Sequence, residues 1–297
     1  MKQAFLNGKS LCEYCAKEGI SLGEAMIRRE ISFGEQTREQ IIAEMRENLK
    51  VMKASVNRGL TDYIESVSHL SGGEARALNA YAKNAFLGEN ACRAAAAAMA
   101  VVEVNAAMGR IVAAPTAGSS GILPGVLLVC GEQRGWTEDQ LLSGLFAAGA
   151  AGLIFAKNAT ISGADGGCQA EVGVGSAMAA AALVELSGGS PEQALDAAAM
   201  TIKNLLGLVC DPVAGLVECP CIKRNALGAM NAMLCADMTL CGITSLIPFD
   251  EVVASMYIVG KDMRKEYRET AKGGLAATPT GKMVAEQVAR FQVYEID

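Results

Sequence analysis

Four cysteines lie in turns that also contain glycine or proline, a pattern typical of sulfur-ligated metal sites. They are Cys168, Cys210, Cys219 and Cys221, and the last three fall in the single stretch LVCDPVAGLVECPCIKRN. Backbone amides in such turns can stabilise an anionic sulfur cage, as they do around iron–sulfur clusters. Zinc favours close pairs of cysteine and histidine, which the long separation of Cys168 from Cys210 fits poorly. Spacing alone leaves the metal open, and buried thiols without a metal are the alternative.

The other unusual loops carry hydroxyl groups and cations that could handle a small polar substrate. The groups concerned are Thr116, Ser119 and Ser120 of PTAGSSG, Lys157 of KNATISGADGGCQAE, and Lys272 of RETAKGGLAATPTG. The chain has one histidine, His69, just ahead of a predicted helix start. We therefore expect a proton-transfer base to be a lysine, an acid or a group from another chain. The alternative is that the cations form structural ion pairs and that the loops are ordinary turns.

The remaining cysteines lie in helical patterns beside Ala, Leu or Met, where a free thiol acts as a small hydrophobe. They are Cys12, Cys15, Cys92, Cys130, Cys235 and Cys241. Cys12 and Cys15 form a CxxC, but without a second pair this predicts zinc only weakly. We assign none of the six a role.

The elements that position these loops are predicted to be helices. SLGE at Ser21, SGGE at Ser71 and SPEQ at Ser190 each predict a capping box, and the apolar period from Thr37 to near Gly59 predicts an outer helix. From Glu89 onward, small residues on several helix faces predict closely packed buried helices. We therefore predict an all-α fold, a compact bundle of Ala/Gly-rich helices in one domain over 1–297. Residues 1–85 would form outer helices, and 86–297 the core that carries the unusual loops.

Composition restricts the function classes. The chain has 297 residues, 51% of them hydrophobic, and a net charge of −6, which argues against disorder and against a nucleic-acid-binding surface. The uncharged run from Ile111 is interrupted by prolines and glycines, and the run from Gln140 suits a buried helix better than a membrane span. The N-terminus lacks the apolar core of a secretory signal, so we expect a cytoplasmic protein with reduced cysteines.

Four segments together resemble the α chain of the iron–sulfur-dependent L-serine dehydratases. They are EVNAAMGRIVAAPTAGSSGILPG, KNATISGADGGCQAEVG, NLLGLVCDPVAGLVECPCIKRNALGAMNA and RETAKGGLAATPTG. The resemblance implies a mostly helical lyase that converts L-serine to pyruvate and ammonia with a [4Fe-4S] cluster and no pyridoxal phosphate. It also implies a separate β chain, because single-chain members carry a further smaller domain.

Carried over by position, the resemblance makes Cys168, Cys210 and Cys221 the cluster ligands, leaving one iron open as a Lewis acid. Cys219 falls where the family usually has an apolar residue. We expect Thr116, Ser119 and Ser120 to contact the substrate. Lys272 is the first candidate for the base or the partner of the substrate carboxylate, and Lys157 is the second.

Two departures from the family and two alternatives accompany this interpretation. Ser120 stands where members often have cysteine, and the C-terminal VYEID lacks the cysteine that can close the resting cluster in single-chain members. The same chemistry could act on L-threonine or L-cysteine, because one methyl group changes pocket preference by only about 1–3 kcal/mol. A non-catalytic helical subunit with a structural zinc or cluster is the alternative of another class.

Overall fold

The computed structural model describes residues 5–294, and side chains for residues 5–290. Within this range it contains α-helices, short helical turns and isolated bridges but no β-strand, so the all-α prediction is confirmed. The last residues of VYEID and the first four residues of the chain lie outside the described part. The helices are α1 (Gly8–Glu18), α2 (Leu22–Phe33), α3 (Arg38–Thr61), α4 (Glu74–Tyr81), α5 (Glu89–Ala106), α6 (Ile122–Arg134), α7 (Glu138–Asn158), α8 (Gly163–Gly166), α9 (Val174–Leu186), α10 (Pro191–Leu205), α11 (Cys221–Leu240), α12 (Phe249–Asp262) and α13 (Pro279–Tyr294).

Helix α9 is the centre of the fold. Every residue from Val174 to Val184 is buried, and most are alanine or glycine. Small side chains let neighbouring backbones approach closely, so α9 packs against four helices, α6, α7, α10 and α11. The predicted bundle of Ala/Gly-rich helices is thus present.

The first four helices pack on this core from outside: α2 lies against α7, and α3 and α4 lie against α5. One continuous buried cluster includes Leu11, Leu22 and Leu49 from this region together with Ala151 and Ala180 from the centre. The division of the chain at residue 85 therefore does not separate two hydrophobic cores.

Two of the three predicted capping boxes do not form as predicted. Ser190 forms the full box with Gln193, but at Ser21 only the serine half is present. The prediction at Ser71 is wrong, because α4 begins at Glu74 after Gly73. The Ser71 hydroxyl instead donates to the buried Glu218 carboxylate at 2.7 Å, so it is not available to cap a helix.

Helix α7 is long and apolar enough to cross a membrane by length and composition. In the fold, however, 67% of its apolar window is buried. It packs against α2, α9 and α12. This agrees with the interpretation of the run from Gln140 as a buried core helix.

Gly121, at the start of α6, marks a close approach to α5. A Cβ atom there would lie 1.8 Å from the carbonyl oxygen of Ala98. Because such overpacking forces the backbones apart, we expect Gly121→Ala to lower the free energy of unfolding by about 1–3 kcal/mol or more. Urea denaturation followed by circular dichroism measures the change.

Gly149, in α7, gives the matched control. A Cβ atom there would meet only Met26, at 4.0 Å. Gly149→Ala should be neutral or stabilising, because alanine is the better helix former by roughly 0.5–1 kcal/mol. Equal destabilisation by both variants would contradict the argument from close approach.

Candidate functional site

The structure brings Cys168, Cys210 and Cys221 together from three places in the chain. Cys168 precedes α9, Cys210 lies between α10 and α11, and Cys221 is the first residue of α11. All three are buried, whereas Cys219 is exposed. Cys168 and Cys210 lie close enough for each thiol to influence the ionisation of the other. Cys221 lies close enough for Cys168 to influence its ionisation.

The pKa values of the three thiols differ because their surroundings differ. The neighbouring Cys210 thiol, helped by the charge of Arg224, lowers the pKa of Cys168. The neighbouring Cys168 thiol and burial raise the pKa of Cys210. Burial, with the charges of Cys168 and Glu171, raises the pKa of Cys221 to about 12. Of the three thiols, Cys168 is thus the one favoured as a thiolate, which is the form that binds metals.

A single turn of π-helix, Gln169–Gly173, follows Cys168 and leads directly into α9. Its first residue is fully buried: the Gln169 amide donates to the Met256 carbonyl and accepts from the Gly207 N–H, both at 2.9 Å. These bonds fix the turn to α12 and to the end of α10. Such π turns often occur at functional sites. Here it carries Glu171 beside the thiols.

Glu171 is the main site residue that the sequence analysis missed. Its Oε1 accepts a hydrogen bond from the Thr116 hydroxyl at 2.7 Å, and its Oε2 accepts from the Cys210 thiol at 3.6 Å. Burial, helped by the nearby charge of Glu269, raises the pKa of Glu171 against the lowering effect of the hydrogen bonds from Thr116 and Cys210. Glu171, Cys210 and Glu269 place one ligand atom each within 4.8 Å of one another. The only sequence signal was a charged residue in an otherwise apolar stretch.

The PTAGSSG loop contributes one direct contact. Thr116 touches Glu171, and the Ser119 hydroxyl lies 3.2 Å from that of Thr116. Ser120 is buried, and its hydroxyl donates to the Ala117 carbonyl within its own turn. Asn225 fixes this loop to α11, because its amide donates to the carbonyl oxygens of Gly118 and Cys221. Of the three predicted hydroxyls, Thr116 is the one in contact with the Glu171 carboxylate.

Lys272 lies on a loop that is held at both ends against the Cys210 segment. The N–H of Glu269 donates to the Cys210 carbonyl at 2.8 Å, and the N–H of Leu275 donates to the Asp211 carboxylate at 2.7 Å. Lys272 lies between these two anchors with its side chain exposed. The loop that carries Lys272 is thereby fixed to the backbone on both sides of Cys210.

Lys157 has a different environment. It lies in the last turn of α7, and its ammonium group donates to the carbonyl oxygen of Phe5 at 3.3 Å. The neighbouring Asn158 donates to the carbonyl oxygen of Leu6. Lys157 is therefore used to hold the segment that precedes α1.

Arg224 connects the elements that carry the thiols. Its guanidinium donates to the Val209 carbonyl at 2.7 Å and to the Asp211 carboxylate at 2.8 Å, and its charge lowers the pKa of Cys168. The side chain is 15% exposed. One residue of α11 thus fixes both flanks of Cys210 and stabilises negative charge on Cys168.

The donor chemistry of the site fits an iron–sulfur cluster held by three protein ligands. Three buried thiols converge from separate segments, an arginine stabilises thiolate charge, and glycine-rich turns surround them. Thiolates in such surroundings are the usual ligands of iron–sulfur clusters. The carboxylates of Glu171 and Glu269 supply oxygen atoms at the same place.

Comparison with known proteins identifies the family of this chain. The sequence model of the family described as "Serine dehydratase alpha chain" matches residues 17–276. The chain is 51% identical over 286 residues to the "Probable L-serine dehydratase, alpha chain" of Bacillus subtilis, covering 96% of this chain and 95% of that protein. It is 44% identical to the "L-serine dehydratase, alpha chain" of Peptoniphilus asaccharolyticus, covering 93% and 95%.

A longer relative matches as well. The "L-serine dehydratase" of Streptomyces coelicolor is 41% identical over 285 residues, which are 93% of this chain but 61% of that protein. The resemblance predicted from the four loop segments is confirmed by these matches. The chain belongs to the serine dehydratase alpha chain family.

Proposed function

We propose that this chain is the catalytic α subunit of an L-serine dehydratase, which eliminates water from L-serine to give pyruvate and ammonia. It would hold a [4Fe-4S] cluster on Cys168, Cys210 and Cys221, and would use no pyridoxal phosphate. The observation that carries the proposal is the convergence of these three cysteines beside Glu171 in a chain of this family. When bound, the cluster would supply an open iron that acts as a Lewis acid on the substrate hydroxyl.

The residues of the chain would bind and orient the substrate. Thr116, fixed on Glu171, presents a hydroxyl oxygen at the edge of the site, and Ser119 supports it. Lys272, on its anchored loop, is proposed to take the α proton or to pair with the substrate carboxylate. Loss of that proton and of hydroxide gives aminoacrylate, which tautomerises to an imine. Water then hydrolyses the imine to pyruvate and ammonia without further help.

A separate β chain is the proposed partner. In the Streptomyces coelicolor relative, the matched segment covers 61% of the protein, whereas in the two proteins named alpha chains it covers 95%. The longer relative therefore carries additional sequence that this chain would obtain from another polypeptide. The exposure of Lys272 supports this arrangement, because a partner could cover it.

We propose the cytoplasm as the compartment. All ten cysteines are free, which suits a reducing environment. The cluster thiols could not bind iron if they were paired as disulfides.

Anaerobic reconstitution tests the proposal. The purified chain is loaded with ferrous iron and sulfide, and pyruvate formation from L-serine is measured with and without the β chain. We expect roughly four irons and four sulfides per chain and turnover that is highest with both chains. A colourless zinc protein without turnover would contradict the proposal. Parallel assays with L-threonine and L-cysteine define the preferred substrate.

Replacement of Arg224 tests its part in holding the cluster. Arg224→Met removes the bonds to Val209 and Asp211 and the charge beside Cys168, so the Cys210 segment loses an anchor and the Cys168 thiolate loses a stabilising cation. Removal of such an outer partner typically weakens metal binding by about 10–100-fold. Iron released to a chelator under anaerobic conditions measures the effect.

The neighbouring Lys223 provides the control. Its ammonium pairs with Glu74 on the surface, at 2.7 Å, and the side chain is 62% exposed. Lys223→Met removes the same charge from the same turn of α11 and should leave iron retention unchanged. Equal iron loss from both variants would show that net charge, and not the Arg224 contacts, governs retention.

A further inference from the structure

We infer that Glu171 binds the α-ammonium group of the substrate. This inference rests on the proposed function, because it assigns a residue to one group of the amino acid. It concerns a carboxylate that the sequence pattern did not single out, and it follows from three features of its surroundings: its hydrogen bonds, the glycines beside it and the charges nearby.

The hydrogen bonds of Glu171 leave one oxygen dependent on Cys210. Oε1 is satisfied by the Thr116 hydroxyl at 2.7 Å, whereas Oε2 receives only the longer contact from the Cys210 thiol, at 3.6 Å. A cysteine that binds iron does so as a thiolate and has no proton to donate. In the enzyme with its cluster bound, Oε2 of Glu171 would therefore lose the hydrogen bond from the Cys210 thiol. Glu171 is only 9% exposed. Buried acceptors of this kind need a donor.

Two glycines bring the backbone close to this carboxylate without a side chain. A Cβ atom at Gly163 would lie 2.6 Å from Oε2 of Glu171 and 3.1 Å from the Cys210 sulfur. A Cβ atom at Gly118 would lie 3.2 Å from Oε1. Any larger residue at position 163 would collide with Oε2. Glycine at both positions therefore keeps Cβ atoms from crowding the carboxylate oxygens.

The charges around Glu171 favour a cationic ligand. The nearest carboxylate, Glu269, places an oxygen within 4.8 Å of the Glu171 and Cys210 ligand atoms. No lysine or arginine forms an ion pair with Glu171 among the residues whose side chains are described. An ammonium group brings a positive charge and three N–H donors, which matches an anionic pocket with an unsatisfied oxygen. The substrate amino acid carries such a group on its α carbon.

The test compares two ligands that differ only in the ammonium group. L-Serine and 3-hydroxypropanoate share the hydroxyl and the carboxylate, but 3-hydroxypropanoate has no nitrogen. Binding of each to the anaerobic, cluster-loaded α/β enzyme is followed by the change in visible absorption of the cluster, in a stopped-flow instrument before product accumulates. We expect L-serine to bind at least about 30-fold more tightly, because loss of one partner of a buried charge pair is costly.

In the Glu171→Gln variant, serine affinity should fall by roughly 30-fold or more, while affinity for 3-hydroxypropanoate should change by less than about threefold. The preference for serine would then largely disappear. Glu171→Asp, which retracts the charge by one methylene, should show an intermediate loss for serine alone. The aspartate variant also keeps the test decisive if the glutamine variant does not take up the cluster.

Glu185 supplies the matched control, a second buried carboxylate near the other end of α9. It accepts the backbone N–H groups of Leu22 and Gly23, roughly 20 Å along the helix from Glu171. Glu185→Gln should leave the ratio of the two affinities unchanged. The same drop in that ratio in this variant would overturn the assignment to Glu171.

The failure of this inference can be distinguished from failure of the proposed function. An enzyme that takes up no iron–sulfur cluster, or that forms no pyruvate from serine, contradicts the proposed function itself. If the native enzyme does both, equal weakening of the two ligands in Glu171→Gln indicates a structural role and overturns the inference. A fall in kcat with an unchanged affinity ratio would overturn it as well.

Discussion

Cys210→Ala is expected to give a folded chain without an iron–sulfur cluster and without serine turnover. The Cys210 sulfur lies between Cys168 and Glu171, and its backbone is fixed on both sides by Tyr267 and Glu269. Loss of this one ligand would remove Lewis-acid assistance of several kcal/mol, which corresponds to roughly a thousandfold or more in kcat. Iron and sulfide analysis, visible absorption and pyruvate formation measure the result.

Two other cysteines provide controls for this variant. Cys219 is exposed next to the same loop, and Cys235 is buried in α11 within a polar network that includes Asn231. Cys219→Ala should retain the cluster and full turnover. Cys235→Ala should also retain the cluster, although it can cost stability. If Cys210→Ala kept its iron and sulfide, the assignment of Cys210 as a ligand would be wrong.

Lys272→Met is expected to leave the cluster absorption intact while lowering serine turnover by roughly a hundred- to ten-thousandfold. The anchors at Cys210 and Asp211 hold the Lys272 loop at the site, whereas the Lys157 ammonium is bonded to the carbonyl of Phe5. Methionine keeps most of the length of the lysine side chain but carries no charge and cannot transfer a proton. Steady-state kinetics, with iron content measured on the same samples, test this.

The kinetic constants separate the two roles proposed for Lys272. A fall in kcat indicates that it handles the α proton, and a rise in KM with unchanged kcat indicates that it binds the substrate carboxylate. Lys265, exposed before the same anchored segment, provides the control, and Lys265→Met should turn over serine normally. Turnover of Lys272→Met within about twofold of the native value would exclude both roles.

The sequence was most informative where composition determines packing. The run of alanine and glycine around Ala180 has no polar face, so burial on all sides is the only stable position for such a helix, and α9 occupies it. The start of α4 was misassigned because local pattern suggested Ser71 as a cap, while a distant residue, Glu218, binds that hydroxyl. Local rules cannot predict a competing partner that is 147 residues away.

The site was predictable only as far as local sequence patterns reveal it. Thiols in glycine-containing turns were recognisable, and Cys168, Cys210 and Cys221 do converge. Glu171 was not recognised, because its position beside Cys210 depends on a π turn, and hydrophobic periodicity does not reveal such a turn. The sequence analysis ranked Lys272 ahead of Lys157, but it could not reveal that the Lys157 ammonium is bonded to the Phe5 carbonyl, because that contact depends on tertiary packing.

The pairing of the Cys210 segment with residues near the end of the chain has a consequence for the order of synthesis. A nascent chain that has emerged only as far as Lys261 already contains all three cysteines. It lacks the backbone groups of Tyr267, Glu269 and Leu275 that hold the Cys210 segment in place. At about 5–20 residues per second, these groups follow within seconds. Assembly of the site is thus postponed until residues 267–275 have been made, and metal delivered to a shorter nascent chain would meet cysteines that are not yet fixed.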